Sequence, residues 1–232
     1  DVRIFETGKI YIPSSGEKLP KETNKLAAAA TGRKQPELWD REEFDFFDLK
    51  AVLEMALGAL HARESVSFKP APEIEFLHPG KSAEIIIDGE VVGYAGEIHP
   101  GLMERLELTK RVYVAEIDLD AAASLTAGKK GEFSPLPKFP SVRRDIALVV
   151  DQGVSSGSII NEIRSMGSGL IEDARIFDVF TGGTVQDGKK SVAVSLHLRA
   201  SDKTLTEEEI NRIQDKALKK LRLALGAELR TI

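Results

Sequence analysis

The chain of 232 residues contains no cysteine, which removes disulfides and thiolate metal sites and fits a reducing compartment. No apolar run approaches the roughly 18 residues that a membrane-spanning helix needs. There is no starting Met and no basic-then-apolar leader. The chain opens at Asp1 and enters VRIFETGKIYI at once, as a piece cut from a longer protein would. His-Glu-x-x-His, Gly-x-Ser-x-Gly and a complete Gly-rich nucleotide loop are all missing, so no hydrolase or ATP site can be argued from motifs. Thr181-Gly182-Gly183-Thr184 and Gly153 are read as turns. Composition is that of a soluble globular chain, 42% hydrophobic and 30% charged.

Charge is divided unevenly. Residues 1–135 carry 17 Lys+Arg against 24 Asp+Glu, a balance of −7, and residues 136–232 carry 15 against 13, a balance of +2. Two modules with different partners are expected. The stretch TAGKKGEFSPLP at 126–137 has Gly, Lys and Pro without periodicity and marks the boundary.

In the first module, Thr7-Gly8 between two β-prone runs suggests a hairpin or a bulged strand, and KLAAAATG suggests a buried strand of small residues. Leu49, Val52, Leu53, Ala56, Leu57 and Leu60 fall at helical spacing, which predicts an amphipathic helix with Asp45 or Asp48 near its start. Asp88-Gly89 joins two apolar runs and predicts a tight hairpin. HPGLMERLEL, RVYVAEIDL and DAAASL read as helix, strand and helical turn. Trp39, Phe44, Phe46 and Phe47 cluster before the long helix and are assigned mainly to core packing. His78-Pro79-Gly80 and His99-Pro100-Gly101 are read as turns with a capping imidazole, because no third ligand follows at metal-site spacing. Carboxylate pairs such as Glu42/Glu43 sit at helix starts, where the macrodipole accounts for them.

Beyond the boundary the order is strand (144–151), helix (156–166), strand (174–180), strand (191–199), helix (207–225) and a short strand. This βαββαβ order predicts a four-stranded antiparallel sheet with both helices on one face and the other face open. Thr206 and Glu209 form a capping box, and Ile210, Ile213, Ala217, Leu221 and Ala224 form one stripe ended by Gly226. The basic side of that helix is read as a solvated face. Period-2 alternation turns Arg143, Asp145, Ala147 and Val149, with Ser191, Ala193, Ser195, His197 and Arg199, away from the helices. Small residues flanked by Arg and His leave room for a base or a ribose–phosphate segment. Arg144 points the other way, toward a structural contact. In ARIFDVF the parity is ambiguous, since a bulge would exchange the Phe that faces outward.

KFPSVRRDIALVVD, ARIFDVFTGG, KKSVAVSLHLRASDKTLTEEEI and GAELR resemble the ferredoxin-fold anticodon-binding domain that ends the β chain of bacterial phenylalanyl-tRNA synthetase. VRIFETGKIYI, FDFFDLKAVLEMAL, HPGKSAEIIIDGEVVGYAGEIHP and RVYVAEIDLDA resemble the catalytic-like module that precedes it. The resemblance implies an α+β chain: an inactive class II synthetase-like module at 1–130, then a ferredoxin-like βαββαβ domain at 136–232. Arg3 and Glu6 keep a remnant of one class II signature. In Val114-Ala115-Glu116-Ile117 an Ile stands where the ATP-clamping Arg of the other signature belongs. No catalytic residue, metal ligand or cofactor is therefore expected in this chain; ATP and Mg²⁺ belong to the whole enzyme. The implied partners are the α chain, in an α2β2 heterotetramer, and the anticodon region of tRNA, in the cytoplasm and without a membrane. Arg143, Arg175, Lys189, Lys190, His197, Arg199 and Lys203 are the expected tRNA contacts. A scaffold whose ferredoxin-like domain docks on protein is the alternative, and a small-molecule regulatory domain is a third reading carried by fold analogy.

Overall fold

The computed structural model describes residues 1–13, 16, 19–35, 41–62, 65–130, 135–167, 169–183 and 185–230. The chain separates into two compact units, Asp1–Glu132 and Phe133–Ile232.

The first unit contains β1 (Val2–Ile12), β2 (Lys21–Thr31), α1 (Phe46–Ala59), β3 (Val66–Pro70), β4 (Leu77–Ile87), β5 (Glu90–Ile98), α2 (Pro100–Arg105), β6 (Val112–Asp118) and α3 (Leu119–Thr126). Its six strands form one antiparallel sheet in the order β1-β2-β6-β5-β4-β3. Helix α1 starts where Asp45 accepts the N–H groups of Phe47 and Asp48, while the Asp48 carboxylate accepts the Asp45 N–H at 2.8 Å. Two helix-end donors and the cap's own N–H are thereby satisfied. Leu49, Leu53 and Leu57, one turn apart, bury against Ile85, Ile87, Val92, Ala95, Tyr113, Ala115 and Ile117. The buried stripe is narrower than the spacing predicts: Val52 is half exposed and Ala56 is exposed. Asp88 (φ 50°) and Gly89 (φ 90°) both take positive φ, which a two-residue hairpin turn demands.

Three expectations are corrected in this unit. β1 runs unbroken through Thr7-Gly8, with Gly8 paired to Lys25, because a turn there would break the ladder with β2 and free the backbone groups it pairs. β2 is only partly covered, since β1 at its flank is an exposed edge. β3 has no counterpart in the sequence reading; its five residues alternate too weakly to stand out. Trp39 lies outside the described residues, while Phe44 is buried, Phe46 packs on the core and Phe47 is exposed.

The second unit contains β7 (Val142–Asp151), α4 (Ser156–Arg164), β8 (Ile171–Phe180), β9 (Lys189–Leu198), α5 (Glu207–Leu225) and β10 (Glu228–Leu229). The antiparallel order β10-β7-β9-β8 is the ferredoxin-like arrangement. Ile146, Leu148 and Val150 of β7 and Val192, Val194, Leu196 and Leu198 of β9 meet Ile159 and Ile163 of α4 and Ile210, Ile213 and Leu221 of α5 in one core. All apolar strand positions of one parity enter that core, so the other parity is left without a helix layer. Helix α5 starts at the Thr206/Glu209 capping box and ends at Gly226, whose φ of 64° suits a left-handed cap. Ala224 is exposed; Leu225 packs on the core in its place.

Candidate nucleic-acid interface

Strand register lays out the open face of the second unit in rows across β7, β9 and β8. Arg143 stands opposite His197 and His197 opposite Asp173; the next row is Asp145, Ser195 and Arg175. Then come Ala147, Ala193 and Asp178, and finally Val149, Ser191 and Phe180. The central column, His197-Ser195-Ala193-Ser191, is a low floor, because none of these side chains except the imidazole reaches far above the backbone.

The ambiguity in ARIFDVF is settled by a bulge in β8 between Ile176 and Asp178, which makes Phe177 an extra residue. Ile176 and Val179 fall opposite the core residues Val194 and Val192, so Arg175, Asp178 and Phe180 fall on the open side. The ring of Phe177 joins them there, with the Arg143 guanidinium 5.7 Å from its centroid. A second pair of the same kind lies farther along: Arg230 sits 5.6 Å from the Phe180 centroid and donates to Ser191 Oγ at 3.4 Å. Arg230 is brought there by β10, which pairs with Leu148 and Val149, and by its own N–H donating to Ala147 O at 2.8 Å. Two arginine arms thus cross the small-residue floor and rest on phenylalanines of the edge strand. Each contact is a cation–π pair whose aromatic ring is about half exposed.

The predicted contact residues fare differently. Arg143 is on the open face, held by Asp145 through two hydrogen bonds of 2.9 and 3.0 Å. The Arg143 guanidinium, with the Ser195 hydroxyl beside it, keeps the Asp145 carboxyl below the usual carboxylate range. Arg175 is on the same face, exposed, and paired with Asp173. His197 stands in the floor and Lys189 at its rim. Lys190 is opposite Val150, a core residue, so its parity is that of the helix side. Arg199 is drawn aside by Glu172, 3.1 Å away, and is largely covered. Lys203 pairs with Glu209 at the start of α5, where the same carboxylate accepts the Thr206 N–H. Lys190 therefore belongs to the helix side and Lys203 to the α5 cap. Arg144 points away from the face and pairs with Glu207 of α5.

Phe177, Phe180 and Arg230 are the residues that the sequence reading missed as a set. GAELR carries Arg230, but only the pairing of β10 with β7 delivers it to Phe180. Shallow grooves line α5, among Arg212, Asp215, Lys216 and Lys219 and near Leu218 and Leu229; they belong to the helix layer rather than to this face.

The first unit shows a different pattern. Ile117 is buried under the helices, while Glu116 on the opposite sheet face accepts the Tyr94 hydroxyl at 3.0 Å and lies 3.6 Å from Lys25. Burial, with Glu116 beside it, pushes the Tyr94 phenol up to about 12. Asp118 lies 3.3 Å from the same Lys25. Arg3 donates to the carbonyls of Arg33 and Lys34 and covers the Phe44 ring, so this arginine is a structural clamp. His78 and His99 each accept the N–H of the glycine two residues on, at 3.0 and 3.1 Å. His99 thereby caps α2. Among the described residues no three metal-type side chains gather. β1 is an edge strand with Ile4, Phe5, Tyr11 and Ile12 exposed, Phe5 by 77%.

Residues 137–230 match the family model described as "Ferredoxin-fold anticodon binding domain", which defines the class of the second unit. Residues 1–119 match the model described as "Phenylalanyl tRNA synthetase beta chain CLM domain", and the chain belongs to the phenylalanyl-tRNA synthetase beta chain family. The phenylalanine–tRNA ligase beta subunit of Clostridium tetani is 40% identical over 229 residues, covering 98% of this chain and 27% of the relative. That of Bacillus subtilis is 37% identical over 231 residues, with 99% and 28% covered. The chain spans about a quarter of the length of the curated relatives it matches. No helix among the described residues is long and apolar enough to cross a membrane.

Proposed function

We propose that this chain is the tRNA-anchoring and assembly portion of a phenylalanine–tRNA ligase, an ATP-dependent enzyme that joins phenylalanine to its tRNA. The open face of the second unit receives the anticodon region. The observation that carries this reading is the Phe180 ring, roofed by Arg230 beside a floor of Ser191 and Ala193. An exposed edge aromatic next to small residues offers a base a stacking surface, and the arginine adds a cation to its other side. The first unit contributes no adenylating centre: ATP and Mg²⁺ act at the α chain of an α2β2 assembly. The apolar edge strand β1 supports a role in docking that chain, since an exposed edge of this length is otherwise a liability.

The test is a fluorescence-anisotropy titration of this chain with the anticodon stem-loop of phenylalanine tRNA at low salt. Saturable binding that Arg230→Glu abolishes supports the proposal. Arg199→Glu and Lys190→Glu serve as controls and leave affinity nearly unchanged, because one residue is engaged by Glu172 and the other is on the helix side. Absence of any signal change at high micromolar protein removes the RNA role and favours the protein-docking scaffold.

A further inference from the structure

We propose that the open face holds a second base slot, between Arg143 and Phe177, so that two nucleotides are bound side by side and unstacked from each other. The inference rests on the RNA-binding reading above and adds a site to it. The two Arg–Phe pairs have the same construction: an arginine from the β7/β10 side crosses the low β9 column and lies on a ring of β8. Arg143 stands opposite His197, and the diagonal from it to Phe177 crosses the shorter Ser195, which is buried.

The slot is preformed in its orientation and adjustable in its width. Asp145 binds both the Nε and Nη2 groups of Arg143, which fixes the tilt of the guanidinium. A base sandwiched between guanidinium and ring needs two stacking gaps of about 3.5 Å each. The present separation of 5.7 Å therefore has to open by about 1.3 Å, well within the reach of an arginine side chain that is more than half exposed. The bulge explains why two slots exist. Strict alternation from Arg175 would turn Phe177 outward and Phe180 inward, and the extra residue brings both rings onto the face. Phe177 and Phe180 are three residues apart, about 10 Å along an extended strand. Bases at that distance cannot stack on one another, so each stacks on protein.

The experiment uses the same stem-loop probe, carrying an abasic site at one loop position at a time, with wild-type chain, Phe177→Leu and Phe180→Leu. Leucine keeps the apolar bulk of these exposed positions and removes the π face. In the wild type, abasic substitution at two loop positions weakens binding by roughly 5-fold or more each. Phe177→Leu weakens binding of the intact loop comparably and cancels the abasic penalty at one of those positions only; Phe180→Leu cancels the other. The proposal is overturned if Phe177→Leu binds the intact loop as tightly as wild type while Phe180→Leu does not, an outcome that leaves the single-site RNA reading intact. Absence of binding by the wild-type chain overturns both.

Discussion

Salt dependence separates stacking from charge as the source of RNA affinity on the open face. Seven basic residues marked out from sequence would neutralise as many phosphates. For single-stranded RNA that predicts a slope of log affinity against log salt of about −5, or roughly a 900-fold loss between about 50 and about 200 mM salt. The structure reduces that number. Arg143, Arg175, Arg199 and Lys203 are each engaged by a carboxylate, and Lys190 is on the helix side. A cation already paired in cis releases few counterions when RNA arrives, because the carboxylate must be displaced or stays as a repulsive neighbour. Of the seven, Lys189, which makes no ion pair among the described residues, and His197 remain, giving a slope of about −1.4 at most and a loss of about 7-fold over the same range. Fluorescence anisotropy at four or five salt concentrations measures it. Phe180→Leu should lower affinity by roughly 1–3 kcal/mol at every concentration, leaving the slope unchanged. A slope steeper than about −4, or a Phe180→Leu effect that vanishes at high salt, refutes the reasoning.

Leu196 is fully buried on the central strand β9, so Leu196→Ala should cost about 3 kcal/mol and lower the melting transition of the second unit by roughly 15 °C; a drop under about 4 °C contradicts the core assignment. The Lys203 ammonium, followed by the Thr206 N–H, holds the Glu209 carboxyl down at about 2. Its folded pKa is depressed, so its contribution to stability is present above the ordinary value of 4.5 and fades as pH falls toward 2. The difference in melting temperature between wild type and Glu209→Gln should therefore be full at neutral pH and shrink across that window; a difference independent of pH shows that charge is not involved. Calorimetric titration of the chain with ATP and Mg²⁺ should give no saturable heat in the micromolar range, because Ile117 is core and Glu116 occupies the facing surface; saturation would restore a nucleotide site.

Local and periodic features were legible from the chain alone. A helix start at Asp45 or Asp48, the Asp88-Gly89 hairpin, the Thr206/Glu209 box, the Gly226 stop and the βαββαβ order depend on neighbours a few residues away. The inward and outward parities of β7 and β9 followed from strict alternation for the same reason. What alternation could not supply is a count of residues between strands. A single extra residue at Phe177 decides which aromatics face outward, and whether a bulge forms depends on how β8 is held against β9. Likewise β1 stays unbroken across Gly8 because β2 lies beside it. The ion pairs are a tertiary matter too: Glu172 reaches Arg199 across the sheet, and Glu207 reaches Arg144 from α5, over chain separations that no motif spans. Arg230 illustrates the division most sharply. Sequence places it at the end of a chain of blocks, and only the two-residue strand β10 carries it across β7 onto the ring of Phe180. Spacing determined the βαββαβ order and which residues were candidates for RNA contact. Strand pairing, the bulge and the carboxylates decided which of those candidates the open face presents.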